Sequence, residues 1–230
     1  MNILKYIRLL FRKNRKVDFH LQNRFLKMMW KYLSVKKNSL FFYYNLSEYY
    51  DEPHRYYFTL SQHVNNCLRE LDSVRQLVFD HTIVEFALWY YKAVCFPEAK
   101  DNTEKSLELA FEVMGEAKLP QKFQSAVENL ILVANHETMP ISVEEQIIFD
   151  IDLAIFGQKE IIYGEYEKKL RREYEYLTDE QYAFERSEKL RAIFEKSKIY
   201  QTLFFRSKYE VRARANIKNT LLSLEAEFQY

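Results

Sequence analysis

An apolar run at residues 82–96 reads TIVEFALWYYKAVCF and is followed directly by Pro97. Its apolar side chains recur at helical spacing, which predicts a helix that ends before the proline. The same spacing continues in both directions along nearly all 230 residues. Three Gly and four Pro residues make up about 3% of the chain, whereas a typical share is nearer ~12%. So few turn residues exclude a multi-stranded sheet or a glycine-rich phosphate loop, and the sequence predicts an all-α protein.

Several helix ends can be predicted from capping residues. Ser142 and Thr178 are typical N-terminal caps, and Gly157 is typical of a helix end. The last helix is predicted at about residues 204–228. Further helices are predicted at about residues 59–72, 101–118, 120–135, 142–157, 158–176 and 178–196.

The charge distribution divides the chain into two parts. Residues 1–37 contain eleven Lys and Arg residues against Asp18 alone, whereas the remainder has 23 basic and 32 acidic residues. We therefore predict a basic amphipathic helical extension at 1–37 and a helical domain at 38–230. The extension could pack on the domain with its charges exposed, lie on an anionic membrane surface, or bind an acidic partner.

Composition also restricts location and partners. Cys67 and Cys95 lie in apolar runs and are too few for a secreted disulfide scaffold, which favours a reducing, cytoplasmic setting with possible peripheral contact to a membrane. No run approaches the ~18 apolar residues of a membrane span. The 18 Tyr and 18 Phe residues fall mostly at core-like spacings. Together with the acidic balance of residues 38–230, this makes nucleic acid an improbable partner.

Six stretches of the chain resemble the bacterial family of predicted HD-superfamily metal-dependent phosphohydrolases, in order and over about three quarters of the length. The resemblance implies an HD-domain-like helical bundle from residue 38 onward. It also implies a cleft where neutral imidazoles and carboxylates hold a divalent metal that activates water. The stretches are YDEPHRYYFTL at 50–60, ALWYYKAV at 87–94, DNTEKS at 101–106, FDIDLAIFG at 149–157, the Tyr and Arg positions of 163–174, and IYQT at 199–202 with Glu210, Arg214 and Asn216.

The same resemblance implies that most of the metal ligands are missing. The family's first histidine falls on Phe58, and its second falls on Gln62, with His63 one residue late. A shift of one residue turns a helical side chain by ~100°, so His63 is not automatically a replacement. The His-Asp pair that defines the superfamily falls on Tyr91-Lys92. A phenyl ring cannot ligate a metal, and an ammonium group repels a dication.

His136, Asp150 and Asp152 stand where the resemblance implies the surviving part of the site, and Glu137 replaces a further histidine. One hypothesis is that the Lys92 ammonium takes the place of the metal and neutralises Asp152 or Asp150. The alternative is that Lys92 extends to solvent and the aspartates cap helices or face water.

A second group of residues is a candidate for lining the pocket or binding an anion. His54 and Arg55 follow the boundary at Pro53, and Arg55 could hold a phosphate or carboxylate by its planar fork. Each of these residues has a structural alternative, as a hydrogen-bonded core group or as a member of a surface ion pair. The candidates are His54, Arg55, Glu104, Arg214 and Asn216, with Arg171, Arg172 and Arg212 more typical of ion pairs on helix faces.

The sequence therefore predicts a catalytically degenerate HD-domain-like protein that acts by binding or interaction, with no cofactor expected. One alternative is an active phosphohydrolase that acts on a nucleotide or phosphorylated metabolite. It would use a divalent metal held by a rearranged set of ligands, His63, His136, Asp150 and Asp152 with His54 and Glu137 nearby. Another alternative is a peripheral adaptor that residues 1–37 recruit to a membrane or to an acidic protein.

Overall fold

A computed structural model describes residues 18–227, and their backbone is organised in ten α-helices with no strand. This confirms the all-α prediction. None of these helices has the length and apolar character needed to cross a membrane. The helices are α1 (Phe19–Lys27), α2 (Ser39–Tyr50), α3 (Asn65–Ser73), α4 (His81–Tyr90), α5 (Asn102–Glu116), α6 (Gln121–Ala134), α7 (Val143–Leu153), α8 (Glu160–Glu173), α9 (Asp179–Phe194) and α10 (Leu203–Glu227).

Helix α4 is the centre of the bundle. It contacts α3, α5, α6 and α7, and residues 84–90 are all buried, with Trp89 fully so. A helix that is apolar on most sides is stable only when neighbours surround it, which explains why Glu85 is the only charged residue at 82–90. The helix predicted from the apolar run at 82–96 thus lies at the centre of the core.

Helix α4 ends at Tyr90, six residues before the predicted end at Phe96. The Arg55 guanidinium donates to the carbonyls of Lys92 and Ala93 at 3.0 and 2.8 Å, and to that of Phe58 at 2.9 Å. The carbonyls of Lys92 and Ala93 are thus bound by a residue distant in sequence instead of by the next helical turn. As a result, the segment after α4 is held beside the segment that contains Phe58.

Residues 18–37 belong to the bundle. Phe25 is fully buried, and its ring meets that of Trp89 edge-on at a centroid distance of 5.3 Å. Arg24 forms a fork with Asp72 (2.6 and 2.9 Å) and binds Glu85 (3.0 and 3.2 Å). The apolar face of this segment therefore contributes to the core, and the boundary after residue 37 stays a prediction. The rest of the predicted extension, residues 1–17, lies outside the described residues.

Two of the predicted helix starts are confirmed in detail. The Ser142 hydroxyl accepts a hydrogen bond from the Glu145 backbone N–H, and the Glu145 carboxylate accepts one from the Ser142 backbone N–H. Thr178 and Gln181 form the same reciprocal capping box at the start of α9. These caps satisfy N–H groups that have no partner inside the helix. They also set where α7 and α9 begin on either side of the candidate site.

Candidate site around Tyr91 and Asp152

Four side chains form a continuous hydrogen-bonded chain that runs from the buried His63 to the exposed His136. The Tyr91 hydroxyl lies 2.6 Å from His63 Nε2 and 3.0 Å from Asp152 Oδ1. The other carboxylate oxygen of Asp152 lies 2.9 Å from His136 Nε2. Cys67 Sγ approaches the same hydroxyl at 3.4 Å. The phenol therefore connects a histidine of one helix to a carboxylate of another.

The directions of these bonds follow from the charge states. Burial lowers the pKa of His63 to about 3, so its ring is neutral at neutral pH. Burial disfavours ionisation of Asp152, but the His136 hydrogen bond and the Lys92 charge outweigh it and hold its pKa well below the usual range. Burial keeps the pKa of Tyr91 well above its usual value. Tyr91 thus donates its single proton to Asp152 and accepts one from His63.

A π-helical segment, Leu60–Val64, places His63 in this chain of bonds. The Val64 N–H donates to the Thr59 carbonyl at 3.3 Å, which spans five residues in place of the usual four. The wider turn changes the direction of each side chain that follows Thr59. Gln62, the position matched by the resemblance, instead accepts a bond from Lys169 at 2.7 Å. The π-helical turn therefore places His63 at the site. Regular α-helical spacing would instead direct a side chain at position 63 away from it.

His136 reaches Asp152 because its backbone is in the left-handed region, with a φ of 61°. Glycine is the usual residue at such a position just after a helix, and a side chain there is costly. The ring is held edge-on against Phe149 at a centroid distance of 4.5 Å. This conformation directs the imidazole back across the end of α6 toward α7.

Lys92 does not take the partner that the sequence suggested. Its ammonium donates to the Asn135 amide oxygen at 2.5 Å. The hydrogen bonds to the Asp152 carboxylate come instead from the Tyr91 hydroxyl and the His136 ring. Lys92 acts on Asp152 through its charge alone. The ion-pair hypothesis is thus corrected, since the neighbouring phenol is the group that meets the carboxylate.

Asp150 lies apart from the other candidates. Its carboxylate accepts from the backbone N–H groups of Gln201 (2.6 Å) and Thr202 (2.8 Å) and from the Thr202 hydroxyl (2.7 Å). Burial raises its pKa to about 6 in spite of these bonds. Two residues on an α-helix point about 200° apart, so Asp150 and Asp152 cannot face the same site. Asp150 fixes the turn before α10 instead.

The candidate pocket and anion-binding residues mainly hold the fold together. His54 Nε2 lies 2.8 Å from the Cys95 carbonyl, and all the bonds of Arg55 go to carbonyls. Arg214 binds Glu210 and the carbonyls of Phe194 and Lys196 at the end of α9. The Asn216 amide binds the carbonyls of Phe156 and Gln158. Glu104 and Glu137 are exposed, Arg171 pairs with Asp179, Arg172 lies over Tyr56, and Arg212 binds the Gly157 carbonyl.

Glu173 is a residue whose role the sequence did not indicate. One of its carboxylate oxygens accepts from the backbone N–H groups of three consecutive residues, 56, 57 and 58, at 2.7, 2.6 and 3.0 Å. It stands among several other charged residues of α8, and no local pattern distinguishes it from them. The bonds place the Phe58 ring 4.9 Å from that of His63. Glu173 thereby positions one wall of the site.

A cavity of about 380 Å³ opens beside the bonded chain. The structure brings Phe58, His63, Lys92, His136 and Asp152 together on its wall, although they come from four separate segments of sequence. A second cavity of about 350 Å³ shares His63 and Asp152. The cleft is thus open even though aromatic rings stand at positions 58 and 91.

Substitution of the buried imidazole is expected to change how stability depends on pH. An unfolded His63 binds a proton below about pH 6.5, whereas the folded ring stays neutral until about pH 3. Acid therefore favours unfolding by up to about 1.4 kcal/mol for each pH unit between these values. We expect His63→Gln to remove this dependence between pH 6 and pH 4 in urea unfolding experiments. Parallel stability curves for the natural chain and the variant would contradict the buried neutral state.

Among the described residues, no group of three or more His, Cys, Asp and Glu side chains is close enough to hold a metal ion. His63 and Asp152 are separated by the Tyr91 hydroxyl, and Asp150 faces the other way.

Comparison of the chain with family models, with curated proteins and with solved structures gives no significant match.

Proposed function

We propose that this chain is a catalytically degenerate relative of the HD-superfamily phosphohydrolases that acts by binding or interaction. The observation that carries the proposal is the position of the Tyr91 hydroxyl, 2.6 Å from His63 Nε2 and 3.0 Å from Asp152 Oδ1. A metal bound by both groups would lie within roughly 2.2 Å of each. The phenolic oxygen takes up that space and satisfies both groups without a metal.

The charge and chemistry of the surrounding wall support the same interpretation. Lys92 lines the cavity together with Asp152, so a dication there would meet a fixed positive charge. Phe58 offers only a phenyl ring where the resemblance places an imidazole. Both changes reduce the affinity of this cleft for a divalent cation.

The alternative of an active phosphohydrolase depends on fewer residues than the sequence suggested. Of its proposed ligands, His63, His136 and Asp152 line the same cavity, but among the described residues no three such side chains are close enough to hold a metal ion. His54 binds a carbonyl and Asp150 binds the turn at 201–202. An active site would require Tyr91 to leave its two partners.

Metal loading of the purified chain tests the proposal. After loading with manganese, iron, zinc, nickel or magnesium, we expect elemental analysis to find well under one metal ion per chain. We also expect no release of phosphate from a panel of phosphoesters. Near one metal ion per chain, with turnover that Asp152→Ala abolishes, would favour the active phosphohydrolase and refute the proposal.

The basic residues before the bundle motivate the adaptor as a second candidate. Residues 1–17 contain six Lys and Arg residues and no acidic residue. A membrane surface or acidic protein could bind such a segment. A deletion that tests this candidate must end at residue 17, because residues 18–37 contribute Phe25 and Met29 to the core.

A further inference from the structure

The cavity beside Asp152 carries more positive charge than its carboxylates neutralise. Lys92, Arg186, Lys189 and Lys196 all line it, and Asp152 is the single carboxylate on the same wall. Three of these cations come from α9 and the residues just after it, whereas Lys92 follows α4. The cations therefore converge on the cavity from two sides of the bundle.

One of the four cations is fully neutralised. The Arg186 guanidinium is buried and forms a two-pronged bond with the Glu167 carboxylate, with Nε at 3.0 Å from Oε2 and Nη2 at 2.5 Å from Oε1. It also lies over the ring of Tyr166. Arg186 thus braces α9 against α8 and is not available to a ligand.

The other three ammonium groups have uncharged partners. Lys92 donates to the Asn135 amide oxygen, Lys189 donates to the Tyr174 hydroxyl at 3.5 Å, and Lys196 lies 5.1 Å from the centroid of the Phe149 ring. Desolvation lowers the pKa of Lys189, partly offset by Glu185, and desolvation also lowers the pKa of Lys196. A nearby anion would relieve this cost.

The side chains in and beside the cavity carry a small excess of positive charge. Lys92, Lys189 and Lys196 stand against Asp152 and the neighbouring Glu185, and Arg186 is cancelled by Glu167. These Lys, Arg, Asp and Glu side chains leave one positive charge. A single negative charge on a ligand is therefore the best electrostatic match.

Apart from the imidazoles of His63 and His136 and the hydroxyls of Tyr57 and Tyr166, the remainder of the wall is apolar. It consists of aromatic and aliphatic side chains from three regions, and the polar groups beside them are mostly donors. A sugar or a purine would place hydroxyl and ring nitrogen atoms against this apolar surface, at a cost in desolvation. A hydrocarbon body would instead contact the rings and branched chains directly. The apolar lining comprises Phe58, Leu153, Ile155, Phe156, Ala192 and Ile193.

We propose that this cavity binds an amphiphilic organic acid, with its carboxylate among Lys92, Lys189 and Lys196 and its hydrocarbon body on the apolar wall. The volume of about 380 Å³ lies within the usual range for small-molecule sites. This proposal deepens the binding role proposed above and rests on it. It names a ligand that has no phosphoester bond to hydrolyse.

Titration of the purified chain with octanoate in the presence of a chelator tests the proposal by calorimetry or NMR. We expect saturable binding to one site, and at least tenfold weaker binding of octan-1-ol, which has the same body without the charge. AMP is expected to bind more weakly than octanoate. The double variant Lys189→Gln/Lys196→Gln should weaken octanoate binding at least tenfold, since both exposed lysines can change without disturbing the core.

Lys168→Gln is the matched control, because Lys168 is exposed and pairs with Glu165 away from the cavity. It should leave octanoate binding unchanged. Absence of saturable binding, equal affinity for octanol, tighter binding of AMP, or an undiminished affinity in the double variant would each overturn the proposal. Metal binding and phosphoester turnover are measured separately, so their presence would refute the degenerate-enzyme proposal without deciding the octanoate result.

Discussion

The triple variant Phe58→His/Tyr91→His/Lys92→Asp is expected to bind about one divalent metal ion per chain, whereas the natural chain is expected to bind well under one. The substitutions remove the phenol between His63 and Asp152 and the ammonium on the cavity wall. They add two imidazoles and a carboxylate beside the existing His63, His136 and Asp152. A gain to micromolar affinity would correspond to about 8 kcal/mol of binding free energy.

Elemental analysis after loading with manganese or zinc, followed by calorimetric titration, provides the measurement. Gln62→His is a matched control, because it adds an imidazole at the position that the resemblance implies but that the π-helical segment directs toward Lys169. The control should bind no metal. If circular dichroism shows a folded triple variant that binds no more metal than the natural chain, the family's metal site has been assigned to the wrong residues.

Glu173→Ala is expected to destabilise the protein by about 3 kcal/mol or more. The buried carboxylate accepts three backbone hydrogen bonds from residues 56–58, and alanine would leave those donors without a partner. Each lost bond to a charged acceptor costs roughly 1.5–3 kcal/mol, and the losses at one carboxylate are not additive. Urea unfolding at pH 7 measures the change in the free energy of unfolding.

Glu165→Ala is the control for this variant, because Glu165 lies on the same helix but is exposed and paired with Lys168. Its effect should be much smaller than that of Glu173→Ala, as is usual for a substitution of an exposed side chain. A similarly small effect of Glu173→Ala would mean that water or another group can satisfy residues 56–58. In that case Glu173 would not be the residue that positions Phe58.

Most of the predicted helix starts and the all-α class could be read from local features. Ser142 and Thr178 cap their helices through bonds to residues three positions later, so neighbouring sequence contains both partners. The end of α4 could not be predicted in the same way. It depends on Arg55, whose guanidinium binds carbonyls nearly forty residues away.

The site shows the same difference between local and distant information. The position of His63 depends on a π-helical turn, and the spacing of apolar residues does not reveal one extra residue in a turn. The roles of Asp150 and Asp152 differ because one faces the turn at 201–202 and the other faces Tyr91. The sequence alone does not show which partner the carboxylate of an aspartate will bind.

The fold class could be predicted from the sequence alone, through its helical periodicity and its few Gly and Pro residues. Most helix ends could be predicted as well, because capping residues act on neighbours along the chain. The residues that meet in the cleft come from segments up to about 140 positions apart, and packing alone sets which of them touch. Tyr91 rather than Lys92 meets Asp152 because the chain turns just after α4, where Arg55 binds its carbonyls. That choice of partner is a property of three-dimensional packing, since adjacent side chains on a turning chain point in different directions.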